Sequence, residues 1–159
     1  MDIIAGAQAY LRSRGVDQWQ DGYPDQAVML NDIRNENSYV LKDDANRVLG
    51  IATIVVGDEP TYARIYNGAW KTPEPYACIH RVAVRSDLRG TGTAVEMMIA
   101  AENIISSRGI QSIRIDTHRN NVSMRKMLEK CGFICCGIVY LKGGAESGAE
   151  RIALEKSIN

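Results

Sequence analysis

Between Tyr76 and Thr117 the chain reads YACIHRVAV, then RSDLRGTGTA, then a run from Thr93 to Gly109, TAVEMMIAAENIISSRG, and finally QSIRIDT. The first and last runs are short, apolar and rich in β-branched residues, which predicts strands. The third has helical periodicity and stops at a glycine. A strand, helix and strand in this order form a right-handed crossover whose two strands lie parallel in one sheet. The chain of 159 residues has the size of one domain.

The flanking segments add antiparallel pieces. Ile3, Ile4, Ala7 and Leu11 recur at helical spacing before Gly15, so the chain opens with a helix. A second helix begins near Pro24 and Asp25, with Ala27, Leu30 and Ile33 as its apolar stripe. SYVLK and VLGIATIVVG flank the turn formers DDANR and predict a hairpin. DEPTYARIYNGAWKTPEP reads as a strand or short helix followed by a loop. A helix from Asn121 to Cys131 stops at Gly132, and FICCGIVYLK and ERIALEKS close the chain as a hairpin around GGAESG. The fold class is α/β (α+β): a mixed, mostly antiparallel central sheet with one parallel strand pair joined by a crossover helix, flanked by helices, within a single domain over 1–159.

Nineteen basic and nineteen acidic side chains leave no net charge, so neither nucleic acid nor anionic lipid is an expected partner. Asp2 and the absence of a basic lead argue against a secretory leader, and no apolar run has membrane-spanning length. Cys78, Cys131, Cys135 and Cys136 lack paired zinc spacing, and adjacent Cys135 and Cys136 point to opposite faces of a strand. With His80 and His118 the only histidines, no metal site is expected. A reduced, cytoplasmic protein is the expectation.

The bare corner carries the chemistry. A turn that leaves a strand and opens a helix presents free backbone N–H groups and the positive end of the helix dipole, which together cradle an anion. Larger residues at Gly90 and Gly92 would block close approach, Thr91 and Thr93 bring hydroxyls, and Arg89 brings charge. Neither the Walker ending nor the dinucleotide fingerprint is present. The same residues also make a plain tight turn with a helix cap.

RGTGTA resembles the signature of the GNAT superfamily of acyl-CoA-dependent N-acyltransferases, Arg/Gln-x-x-Gly-x-Gly/Ala, at Arg89, Gly92 and Ala94. NVSMRKMLEKCGF matches a second family feature with Asn121, Gly132 and Phe133, and the resemblance covers nearly the whole chain. It implies the acyl-CoA N-acyltransferase fold and acetyl-CoA as cofactor, its pyrophosphate held by the main chain of Arg89, Gly90, Thr91, Gly92, Thr93 and Ala94. Val82 to Val84 would pair with the pantetheine, the Val84 N–H would be the oxyanion donor, and Asn121 would contact the pantetheine or hold its helix. Relatives that pair make a homodimer the implied assembly.

Acetyl transfer to a primary amine, on a small molecule or a peptide, needs a base and an oxyanion donor. Strand alternation places Tyr76, Cys78, His80, Val82 and Val84 on one face. His80 stands where some relatives that acetylate arylalkylamines have histidine, and Cys78 where histone-modifying relatives have glutamate. His80 is the leading base, or else a core histidine. Asp116 and His118 share a face beside it: they complete a relay, or Asp116 pairs with Arg81 or Arg114 and His118 caps the next helix. Leu128 replaces the tyrosine by which many relatives protonate the leaving thiolate, leaving Tyr140 or water. Cys78 invites an acyl-cysteine route but reads better as a small apolar residue. Trp19, Tyr23, Tyr66, Trp70 and Tyr76 are candidate acceptor-side aromatics or ordinary packing. A non-catalytic acyl-CoA-binding module is the alternative function, and a nucleotide-binding domain a weaker third.

Overall fold

The computed structural model describes residues 1–73 and 75–158. Helix α1 (Asp2–Ser13) buries Ile4 and Leu11 from the expected stripe. Helix α2 (Gln26–Arg34) starts one residue after Asp25, whose side chain accepts the Val28 N–H at 2.8 Å as an N-cap. Its expected apolar stripe is turned outward: Leu30 and Ile33 are exposed and Asp32 is buried. Asp32 receives both a 2.6 Å and a 2.8 Å bond from Arg81, and a third from the Thr53 hydroxyl at 2.9 Å. These directional, charge-assisted bonds set the rotation of a helix whose apolar face is too weak to do so.

Strands β1 (Ser38–Lys42) and β2 (Val48–Val56) form the expected antiparallel hairpin, with Asp43 accepting the N–H groups of Ala45 and Arg47 across the turn. A short 3-10 helix, Pro60–Ala63, opens the segment expected to be a strand or short helix followed by a loop. Then follow β3 (Ala77–Val84), helix α3 (Thr93–Ser107), β4 (Ser112–Thr117), helix α4 (Val122–Lys130), β5 (Ile134–Tyr140) and β6 (Glu150–Ser157). The six strands lie in the order β1-β2-β3-β4-β6-β5, every pair antiparallel except β3 with β4.

Two cores flank this sheet. On one face Met97, Met98, Ala101 and Ile105 of α3 pack with Ile54, Ala77, Ile79, Ile113, Ile115 and Leu128. Each buried Ile, Leu or Met among them contributes roughly 1.5–3 kcal/mol. On the other face Tyr62, Tyr76 and Cys78 meet Val139 and Ala153. Cys135 is exposed and Cys136 buried, as neighbours on a strand should be. Among the described residues, no helix is long and apolar enough to cross a membrane.

A bulge in β3 corrects one expectation. Thr53 faces His80 and Ile51 faces Ala83, so two steps on β2 match three on β3, and Arg81 adopts φ 51°. The extra residue reverses the side-chain alternation. Tyr76 and Cys78 belong to one face, with the His80 ring 6.1 Å from that of Tyr62. Val82 instead packs on the α3 face, and Val84 lies beside Met97 near Gly50. The five residues therefore do not share a face. The positive φ of Arg81 costs about 1 kcal/mol or more, which its bonds to Asp32 and to the Tyr23 hydroxyl, 2.7 Å away, offset.

Candidate active site

The cleft follows from the strand pairing. Strands β3 and β4 pair at Ala77 with Ile113 and at Cys78 with Arg114. Beyond those pairs the facing stretches Ile79–Val84 and 115–117 become walls of a cleft of about 700 Å³. The bulge therefore sits in one wall, where backbone freed from the parallel ladder faces open space.

One end of the cleft is the glycine corner. Leu88, Arg89, Gly90, Gly92, Ala94 and Val95 line it. Gly90 has φ 79° and Gly92 φ 100°, and a Cβ built on either would meet nothing within 4 Å. The space above the corner is therefore open, and while Val95 and Glu96 donate to the Gly92 carbonyl, the first two amides of α3, Thr93 and Ala94, have no intrahelical acceptor. These features fit a bound pyrophosphate. Two side-chain details differ from the sequence reading. Arg89 turns back to α1, donating to the Gly6 carbonyl at 2.6 Å with its guanidinium 4.6 Å from the centre of the Tyr10 ring. The Thr91 and Thr93 hydroxyls are 2.9 Å apart and bond each other, and Thr91 also donates to the Leu88 carbonyl. Arg14, Lys126 and Lys130 also line the cleft and were not singled out from sequence, although 126 and 130 stand one turn apart on α4.

The other end is built from side chains. His80 lines the cleft, and its Nε2 lies 3.3 Å from a Glu59 carboxylate oxygen, though not in hydrogen-bond alignment. Burial raises the Glu59 pKa, but the contact with His80 and the Thr61 N–H outweigh it and hold the carboxyl at about 2. Sequence reasoning missed Glu59. Its signal was local, since Glu59 precedes Pro60 and caps the 3-10 helix by accepting from Thr61 at 3.1 Å.

Asp116 pairs with neither Arg81 nor Arg114. Arg81 is taken by Asp32, and Arg114 by Glu155 at 3.3 Å and by the Thr72 carbonyl. Asp116 accepts the Tyr62 hydroxyl at 2.7 Å and lies 4.0 Å from Arg151. Burial, opposed by the nearby His80, Tyr62 and Arg151, raises its pKa. Arg151 is buried, and its Nη2 stands 3.0 Å from Glu146, whose carboxylate also accepts the Trp19 N–H at 2.7 Å. That approach is an ion pair without good hydrogen-bond alignment. Glu146 rides the glycine-rich loop between β5 and β6, and nothing in the loop's local sequence marks it.

The remaining candidates divide. Asn121 lines the cleft, caps α4 by accepting the Met124 N–H, and donates to Gln18 at 3.0 Å. His118 accepts the Asn120 N–H in the turn before α4 instead of joining a relay. Cys78 is buried, its thiol pKa raised by that burial, and it is not among the residues lining the cleft. Leu128 is buried in the core. Tyr140 sits outside the cleft against Tyr66, and the tyrosines that line it are Tyr10 and Tyr23. Of the five aromatics expected on the acceptor side, Trp19 and Tyr23 line the cleft. Trp70 and Tyr76 sandwich the Arg114 guanidinium, with ring centres 4.5 Å and 3.8 Å away.

The acetyltransferase (GNAT) family model matches residues 6–133. A GNAT-family acetyltransferase from Streptococcus agalactiae is 32% identical, with TM-score 0.86, over 99% of this chain and 87% of that one. A GNAT-family acetyltransferase from Listeria monocytogenes matches at 18% identity and TM-score 0.70, over 99% and 86%. The NatB acetyltransferase complex, in a structure bound to CoA and MES, matches at 15% identity and TM-score 0.60, over 78% and 74%. No curated protein matches the sequence significantly. A fold with one parallel pair parting at a bulge, and a family match that spans the strand, the glycine corner and the following helices, together place this chain in the GNAT acetyltransferase family, as an acyltransferase enzyme.

Proposed function

We propose that the protein transfers the acetyl group of acetyl-CoA to a primary amine by direct attack, within one domain. The observation that carries this reading is a single cleft with open glycine amides at one end and the His80–Glu59 pair at the other. When bound, acetyl-CoA supplies an activated thioester. The amides from Arg89 to Ala94 hold its pyrophosphate, and Arg14, Lys126 and Lys130 add positive charge at the rim. Val82 to Val84 offer backbone beyond the bulge to the pantetheine, and Asn121 fixes the start of α4 beside it. The Val84 N–H is the donor for charge gathering on the carbonyl oxygen.

His80 takes the proton that the amine must lose as its nitrogen bonds to the acetyl carbon and the carbon–sulfur bond breaks. Glu59, kept ionised, stabilises the imidazolium that results. Asp116 holds Tyr62 and Arg151 around that histidine. The departing thiolate gains a proton from water or from the medium, since Leu128 offers no hydroxyl. That last point also supports a second reading, a module that binds acyl-CoA and reports it without turnover. Thiol release from acetyl-CoA separates the two: release that depends on added amine supports catalysis, and stabilisation by CoA without release across a broad amine panel supports the module.

A further inference from the structure

The two ends of the cleft differ in charge. Arg14 lies at the cradle end, over the same Tyr10 ring that Arg89 covers, and Lys126 and Lys130 line the cleft from α4. At the inner end the balance is reversed. Asp116 and Glu146 line the cleft and Glu59 stands against His80, while the cation among them is Arg151. Arg81, the other guanidinium in that wall, is already closed by both oxygens of Asp32. With His80 neutral, as a base awaiting a proton must be, the two lining carboxylates beside Arg151 and the Glu59 carboxylate against His80 outnumber the one guanidinium. A protonated Asp116 still leaves a surplus of negative charge.

Glu146 is held where it can act on an acceptor. Its carboxylate ties the β5–β6 loop to the Trp19 backbone and to Arg151, and Trp19 and Tyr23 line the same end. Aromatic faces and carboxylates both favour a cation and oppose an anion. We infer that the acceptor enters as a cation with no carboxylate near its reacting nitrogen, an alkyl or arylalkyl amine or a peptide N-terminus, and that Glu146 excludes free α-amino acids. The ammonium gives one proton to solvent before it attacks as the neutral amine, and His80 takes the second as the nitrogen bonds to the acetyl carbon. This rests on the acyl-transfer reading of the same cleft. Discrimination here comes from a repulsive contact with the wrong substrate as much as from attraction to the right one.

Phenylalanine, phenylalaninamide and phenethylamine share a side chain and differ in the carboxylate. With acetyl-CoA and the intact protein, the amide and the amine should show kcat/KM at least about tenfold above the acid, measured by thiol release. Glu146→Gln should narrow that ratio chiefly by raising the acid, whereas a purely structural role for Glu146 would lower all three alike. Asp116→Asn provides a second variant should the first not fold, and the wild-type ratio stands without either. If none of the three is turned over, calorimetric titration of each into the CoA-loaded protein reads the same preference. Equal or better use or binding of the acid, or no uptake of amide and amine, overturns the inference. Failure of CoA itself to bind would instead remove the acyl-transfer reading beneath it.

Discussion

The glycine corner and the inner end of the cleft are two ways of building a binding site. The corner is made of backbone: its shape comes from Gly90 and Gly92, and its residues lie within a few positions of each other in sequence. The inner end is made of side chains carried by the cap of a 3-10 helix, three strands and a loop, namely Glu59, His80, Asp116, Arg151 and Glu146. The first can hold the same charged group in many proteins, because peptide amides are common to all sequences. The second can be altered one residue at a time, so it is where we propose that the choice of acceptor resides. Between them stands the bulge at Arg81, in the wall of the cleft.

Breaking the bulge has the largest expected effect. Arg81→Ala leaves Asp32 buried without its counterion and should cost about 3 kcal/mol in chemical denaturation. A change within experimental error would mean that the Arg81–Asp32 pair does not hold the strand. Next in size, His80→Ala should lower kcat by about 10²-fold or more while leaving CoA affinity nearly unchanged. Equal turnover would remove His80 from the reaction.

The opposite pattern is expected at the corner. Gly92→Val places a β-branched residue at φ 100° and fills the open space, so CoA affinity should fall roughly tenfold or more, from strain and lost approach together. Similar affinity would mean that the corner is only a turn. Glu59→Gln should have the smallest effect, about three- to tenfold in kcat, because it removes a supporting charge rather than the base. It also changes acid stability. The Glu59 carboxyl is lowered from 4.5 to about 2, so its ionised form stabilises the fold fully above about pH 4.5 and that contribution is lost as pH falls toward 2. Urea midpoints across that window should fall more steeply for the wild type than for the variant.

The corner and the crossover were legible because their signals are local: glycines at a strand-to-helix junction, and periodicity on either side. Helix α2 shows the opposite case. Its best apolar stripe, Ala27, Leu30 and Ile33, lost to an ion pair between residues 49 positions apart. The bulge was equally hidden, since His80, Arg81 and Val82 read as uninterrupted strand and only the register against β2 reveals the extra residue. Glu146 reaches the cleft through contacts with Trp19 and Arg151, and Glu59 stands against the His80 that lines it, in tertiary contacts that no spacing in the chain encodes. His118 had a plausible spacing to Asp116, yet it lies past the end of β4 and serves the turn.

The central claim is that the backbone of the glycine corner, Arg89 to Ala94, binds coenzyme A and aims its thioester at the inner end. Isothermal titration of the intact protein tests this most directly. Saturable one-to-one uptake of both CoA and acetyl-CoA is the predicted result, and the absence of uptake of either would contradict the account.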